Sequence, residues 1–302
     1  MEAFKTTVTH QGRSYAVEGW CDPKFAAARD RFAKNFEEGL EIGACIACHI
    51  EGQPVLDLWG GFADRAQTRP WQRDTIVNMM SVSKAITGIC VYILADRGLI
   101  DPQAPVARYW PEFAANGKEN LPLKYVLDHR AGMALVSEPI PRGSVYDHAV
   151  MAAALARQPA AWEPGTDAGY HVLTQGFILA EVVRRVTGKT LGTFFRTEIA
   201  EPLGLDYRIG LDAKDLARCA EWALPPDSPL AKSIVNPYAS AEGAFWQPLA
   251  ENEDFNSMGW RTAEIPSANG HGNARAVSRL YCALVLGGQD GVHLMKRATL
   301  ET

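Results

Sequence analysis

The spacing of apolar side chains predicts a helix and a hairpin at the beginning of the chain. In the stretch 23–39 apolar residues recur every three or four positions, which predicts an amphipathic helix that ends near Gly39. Two apolar runs, 42–50 and 54–61, flank a short turn that contains glycine and predict a β-hairpin. The first run is apolar on both faces, so we expect it to lie inside a sheet that helices cover.

Further along, the pattern is mainly helical. An apolar belt surrounds residues 81–97, which predicts a central, buried helix that Gly98 ends. The clearest later helix covers 174–187, and another covers 190–199. Residues 222–272 lack periodicity and are rich in Trp, Pro, Ser, Asn and Gly, which is typical of ordered loops around a pocket.

The helical pattern returns over 273–287, and 296–302 resembles the first turn of another helix. A hairpin alone is too small a sheet to be stable, so either it pairs with unrecognised strands or a C-terminal segment is missing, and we favour the second. The predicted units are an α/β sheet domain, 1–100 plus 273–302, and a mainly helical domain with pocket loops, 101–272.

Composition narrows the class of protein. The 302 residues are 47% hydrophobic and 22% charged with a net charge of −5, which suits a globular enzyme and argues against nucleic-acid binding. No apolar run reaches the roughly 20 residues that span a bilayer, and the start lacks a secretory signal, so we expect a cytoplasmic protein without a membrane partner. The six cysteines are expected to be reduced core residues.

The candidate chemistry begins with Ser81-Val82-Ser83-Lys84 at the start of the buried helix. Residues i and i+3 share a helical face, so the amine of Lys84 can reach Oγ of Ser81. Burial lowers the pKa of a lysine, which allows it to accept a proton near neutral pH, and the helix N-terminus favours a developing oxyanion. An N-cap serine followed by a first-turn lysine is the structural alternative.

Further segments follow this motif in a fixed order. They are Arg97-Gly98-Leu99-Ile100-Asp101, Val126-Leu127-Asp128-His129-Arg130-Ala131-Gly132-Met133, Glu163-Pro164-Gly165-Thr166-Asp167-Ala168-Gly169-Tyr170 and Glu201-Pro202-Leu203-Gly204-Leu205-Asp206. Together they resemble the β-lactamase-related serine hydrolases, which include class C β-lactamases, D-alanyl-D-alanine peptidases and family VIII carboxylesterases. The resemblance covers about residues 20–302.

This resemblance implies a β-lactamase/transpeptidase-like fold, with an antiparallel sheet flanked by helices and an inserted helical domain. It also implies that Tyr170 faces Ser81 and Lys84 and relays the proton to the leaving group. No metal or cofactor is implied, and the expected partner is a small ester. The oligomeric state is not predicted.

Two positions depart from the family pattern. The penicillin-recognising enzymes usually have Tyr-x-Asn, whereas this chain has Tyr170-His171-Val172, which favours an esterase. His171 is a candidate to tune Tyr170 or contact substrate, with a structural histidine as the alternative. The family's third motif, which supplies an oxyanion-hole N–H, is not recognised, and we interpret Gly270-His271-Gly272 as a loop or turn element of the pocket.

Other signals carry less weight. Cys45-Ile46-Ala47-Cys48-His49 spells a c-type haem attachment motif, but it lies in an apolar strand, where side chains three apart point to opposite faces. Trp246 and Trp260, in the aperiodic stretch, are predicted to line an acyl or alkyl pocket. His271 is included with them as a candidate substrate contact.

The sequence therefore predicts a serine hydrolase that cleaves small carboxylic esters, with Ser81, Lys84 and Tyr170 as catalytic residues. A β-lactamase or D-Ala-D-Ala peptidase-like activity is the alternative within the same chemistry. A non-catalytic binding or scaffold relative is the alternative from another class.

Overall fold

The computed structural model describes residues 1–223, 248–249 and 254–301 of the chain. Its strands are β1 Glu2–His10, β2 Arg13–Cys21, β3 Gly43–Ile50, β4 Gln53–Gly61, β5 Val77–Asn78, β6 Tyr207–Ile209 and β7 Gly270–Gly272. Its helices are α1 Ala26–Glu37, α2 Val82–Asp96, α3 Leu123–Leu127, α4 His148–Arg157, α5 Thr174–Thr187, α6 Leu191–Phe195, α7 Glu201–Leu203, α8 Ala213–Ala217, α9 Met258–Thr262, α10 Ala274–Val285 and α11 Arg297–Leu300.

The larger sheet is antiparallel and has the strand order β1-β2-β4-β3. The predicted hairpin is confirmed as β3 and β4, and β4 also pairs with β2, a strand near the start of the chain that was not predicted from the sequence. The expectation that β3 lies inside the sheet is wrong, since among the described residues it pairs with β4 alone. Its two apolar faces are explained by the helices on either side.

Those helices cover opposite faces of the larger sheet. Phe32 and Phe36 of α1 pack in one apolar cluster that Cys48 of β3 adjoins. On the other face, α10 meets β3 where the Ala274 N–H donates to Cys45 Sγ. Cys45 and Cys48 therefore point to opposite faces, as strand alternation predicts.

The largest core surrounds α2 and α5, which pack against each other. Residues from every turn of α2 are buried, which confirms the predicted central helix. Helix α5 covers the predicted range 174–187 and ends at Gly188, whose φ of 73° is the left-handed conformation in which glycine is favoured. No helix in the described part of the chain is long and apolar enough to cross a bilayer.

A second, three-stranded sheet with the order β5-β7-β6 lies beside the start of α2. Gly270-His271-Gly272, predicted as a loop or turn, is therefore a strand. Its glycines are required by Tyr207, because a Cβ at Gly270 would lie 1.9 Å from the Tyr207 hydroxyl. This sheet fixes the turn before Ser81, since the Met79 N–H donates to Gly270 O at 2.8 Å.

Candidate active site

The turn before Ser81 is held on several sides. Met80 has a φ of 45°, an uncommon conformation for a side chain other than glycine. Its N–H donates to Asn78 Oδ1 at 3.0 Å, and its carbonyl accepts a hydrogen bond from Ser83 Oγ at 2.6 Å. Ser83 Oγ also accepts from the Gly270 N–H at 2.9 Å, so the second serine of the motif ties this turn to β7.

Ser81 occupies the N-cap position of α2 and is exposed. Its side chain does not cap the helix and instead contacts Lys84 and Tyr170. Within the described residues, its backbone N–H makes no hydrogen bond. An open N–H at a helix start can stabilise a negative charge that develops on a nearby carbonyl oxygen.

Lys84 is buried, with 8% of its surface exposed. Its Nζ donates to Val172 O at 2.7 Å and to Ser267 O at 3.1 Å, and lies 3.3 Å from Ser81 Oγ. Burial lowers the pKa of Lys84 to about 7, as the sequence predicted. In the neutral amine, the two carbonyls take two N–H groups and the lone pair is left to face Ser81 Oγ.

Tyr170 completes the group from a loop that precedes α5. Its hydroxyl donates to Ser81 Oγ at 2.8 Å, and Lys84 Nζ lies 4.7 Å from the centre of its ring. About half of its surface is exposed. A serine hydroxyl, an amine with a lowered pKa and a phenol thus meet at one accessible point, which is the arrangement that a serine nucleophile needs.

The other predicted site residues lie elsewhere. His171 is fully buried with both ring nitrogens hydrogen-bonded, Trp260 is fully buried against Phe255, and His271 is fully buried on β7. Burial lowers the pKa of both histidines to about 4, so they are neutral near pH 7. These placements put all three side chains in the interior rather than on a substrate surface, and Trp246 lies outside the described residues.

Two contributors to this site carried no signal of their own in the sequence. Ser267 contributes only a main-chain carbonyl, which residue type does not reveal. His129 lies in a segment that carries the family resemblance, but nothing in its spacing showed that it would contact the loop of Tyr170. The left-handed conformation of His129 can be related to the site only when its contacts with residues 169–171 are seen in the structure.

The fold and these contacts define an active-site-serine hydrolase. A family model described as "Beta-lactamase" matches residues 32–302. The chain is 37% identical over 294 residues to the esterase/beta-lactamase LipL of Mycobacterium tuberculosis, a match that covers 93% of this chain and 67% of that relative.

Solved structures agree with this relationship. A family VIII carboxylesterase is 41% identical, with a TM-score of 0.83 over 94% of this chain and 76% of that one. A penicillin-binding protein homologue from Caulobacter crescentus is 35% identical, with a TM-score of 0.84 over the same shares. The chain belongs to the β-lactamase family, and it has the β-lactamase/transpeptidase-like fold that the sequence predicted.

Proposed function

We propose that this chain hydrolyses small carboxylic esters through an acyl-enzyme on Ser81, with Lys84 and Tyr170 in proton transfer. The observation that carries the proposal is the convergence of Lys84 Nζ and the Tyr170 hydroxyl on Ser81 Oγ, at 3.3 and 2.8 Å. A serine hydroxyl is a weak nucleophile unless a neighbouring base takes its proton during attack. A lysine whose pKa is about 7 is available as that base near neutral pH.

In acylation, Ser81 Oγ forms a bond to the ester carbonyl carbon while its proton passes to neutral Lys84. The Ser81 N–H donates to the carbonyl oxygen as negative charge develops there. The bond from carbon to the alcohol oxygen then breaks, and the leaving alcohol takes a proton from the Tyr170 hydroxyl, which Lys84 reprotonates. Water then attacks the acyl-enzyme by the same proton route, which releases the acid and restores Ser81.

Two observations favour esters as substrates. Val172 stands where penicillin-recognising enzymes usually have asparagine, so it offers no side-chain amide to a lactam or a peptide, and its contact with Lys84 is through the main-chain carbonyl. A family VIII carboxylesterase is among the similar solved structures. The name of LipL joins esterase with β-lactamase, which keeps β-lactam hydrolysis as the second candidate.

The cytoplasmic location stays a prediction.

The test compares the wild type with Ser81→Ala and, as a matched control, Ser14→Ala on the exposed face of β2. We expect Ser81→Ala to lower p-nitrophenyl butyrate turnover by about a thousandfold or more, and Ser14→Ala to leave it unchanged. Intact mass after fluorophosphonate treatment should show one adduct in the wild type and none in Ser81→Ala.

Undiminished turnover in Ser81→Ala would contradict the assignment of the nucleophile. A wild type that neither turns over esters nor takes the label would favour a non-catalytic binding relative. Nitrocefin, assayed beside the ester at equal enzyme concentration, separates the two candidate activities, and faster nitrocefin hydrolysis would overturn the ester proposal.

A further inference from the structure

Tyr170 needs contacts from neighbouring residues that hold it in place. It belongs to neither a helix nor a strand, and its side chain is 48% exposed. Holding such a side chain in the one orientation that makes the 2.8 Å hydrogen bond to Ser81 Oγ costs conformational entropy, so surrounding contacts must offset that cost.

His129 contacts the residue before Tyr170, the residue after it and Tyr170 itself. The carbonyl of His129 accepts a hydrogen bond from the Gly169 N–H at 3.0 Å, and its Nδ1 accepts one from the His171 N–H at 3.1 Å. The rings of His129 and Tyr170 lie 4.7 Å apart between centroids. The N–H groups of the residues before and after Tyr170, Gly169 and His171, are therefore both bound to His129.

The backbone of His129 is strained in the conformation that makes these contacts. Its φ is 66°, in the left-handed region, which for a residue other than glycine costs about 1 kcal/mol or more. Such strain persists only where surrounding contacts maintain it, and it is common at functional sites. Here the carbonyl and the ring both face the segment 169–171.

The hydrogen bonds define the tautomers of both histidines. Because His129 Nδ1 accepts, the neutral ring carries its proton on Nε2. Burial, with a further contribution from the charge of Lys84, lowers the pKa of His129, while Asp128 acts in the opposite direction. His171 holds the loop from its other side, since its Nε2 accepts from the Met133 N–H at 3.1 Å and its Nδ1 donates to Gly169 O at 2.5 Å.

We propose that His129 is a positioning residue that holds the Tyr170 hydroxyl against Ser81, with the buried His171 as the second support of the same loop. The proposal rests on the function proposed above for Tyr170. His129 does not touch the reacting atoms in this scheme. It acts by binding the two flanking N–H groups and by packing against the phenol.

Three substitutions distinguish the effect of the Nδ1 acceptor of His129 from the effect of its left-handed backbone conformation. His129→Asn keeps an acceptor near the position of Nδ1 and tolerates the left-handed region, so most of kcat should be retained. His129→Leu keeps bulk without an acceptor, and His129→Gly relieves strain without one. Both should lower kcat for p-nitrophenyl butyrate about tenfold or more with KM within about twofold, because the loss falls on a group used in the transition state.

Gln11→Gly is the matched control, since Gln11 is also left-handed, with a φ of 48°, but lies in the turn between β1 and β2. It should leave kcat unchanged. Thermal unfolding of each variant shows whether His129→Leu folds, and His129→Gly tests the same loss of the acceptor without a steric risk.

The decisive measurement repeats His129→Gly in a Tyr170→Phe background. If His129 acts through the tyrosine, the second change should alter kcat less than about twofold, because the group it positions has already gone. If the loss of kcat in the double variant equals the product of the losses in the two single variants, the positioning role is overturned. Unchanged kcat in both His129→Gly and His129→Leu would overturn it as well. Unchanged turnover in Tyr170→Phe alone would instead refute the proposed mechanism.

Discussion

Replacement of Lys84 by methionine should abolish activity and, at neutral or acid pH, stabilise the fold. Methionine has a similar length and no charge, so it fills the same space between α2 and the carbonyls of Val172 and Ser267. Loss of a general base typically lowers kcat about 10²- to 10⁴-fold. The gain in stability follows because a buried ammonium is removed.

The magnitude follows from the pKa of Lys84, which falls from an ordinary 10.5 to about 7 in the folded chain. This difference corresponds to a destabilisation of about 5 kcal/mol below pH 7, where both states hold the proton. Methionine leaves two carbonyls without a donor, at a cost of about 1–2 kcal/mol each. The expected net gain at pH 6 is therefore about 1–3 kcal/mol.

The pH dependence gives the sharper test. Between pH 7 and 10.5 the unfolded chain binds more protons than the folded one, so the stability of the wild type rises with pH in this window. The advantage of Lys84→Met should accordingly shrink by about 3 kcal/mol between pH 6 and pH 9.5.

Urea unfolding followed by fluorescence measures this difference, with Lys214→Met as the control because the Lys214 side chain is 74% exposed. Lys214→Met should show no such trend. A constant difference between Lys84→Met and the wild type from pH 6 to 9.5 would refute the lowered pKa and, with it, the role of Lys84 as a base. In the pH profile of kcat/KM, the fall on the acid side should have its midpoint near pH 7, because Lys84 must be neutral to act as the base.

Two further predictions concern stability away from Ser81. Burial alone would raise the pKa of Glu181, but its hydrogen bonds hold that pKa well below its usual range; the donors are His148, Arg184 and Arg185. The ionised carboxylate therefore adds to the free energy of unfolding at neutral pH, and this contribution is lost progressively as pH falls below about 4.5. Glu181→Gln should lower the free energy of unfolding at pH 7 by about 3 kcal/mol without changing kcat, and a loss at about pH 2 as large as that at pH 7 would contradict this account. Gly188→Ala should cost about 1 kcal/mol in urea unfolding, because φ is 73° while a Cβ would meet no atom within 4 Å, and Gly188→Asn should cost less.

The helices of the described chain were largely predictable because their signal is local. The periodic apolar residues of α1, α2 and α5 lie within a few residues of one another along the chain, and a glycine in the left-handed region marks the end of α5. Strands β1 and β2 were not predicted, although the buried Tyr15, Val17 and Cys21 of β2 fall at alternate positions, which is the spacing of a half-buried strand. The place of β2 in the sheet depends on pairing with β4, some 40 residues away, and β1 pairs with β2.

The candidate site divides in the same way. The sequence by itself determined that Ser81 and Lys84 share one helical face, because three residues of α-helix bring them together wherever the helix lies. Tyr170 came from the ordered resemblance to a family, not from spacing.

Only the tertiary structure decided the surroundings of these residues: Lys84 is buried between two main-chain carbonyls, Met80 is fixed by β7 through Ser83, and His129 binds both sides of Tyr170. Each of these contacts joins segments that are distant in sequence. Their geometry is set by how the helices and the smaller sheet pack together, and no local pattern of residues records that.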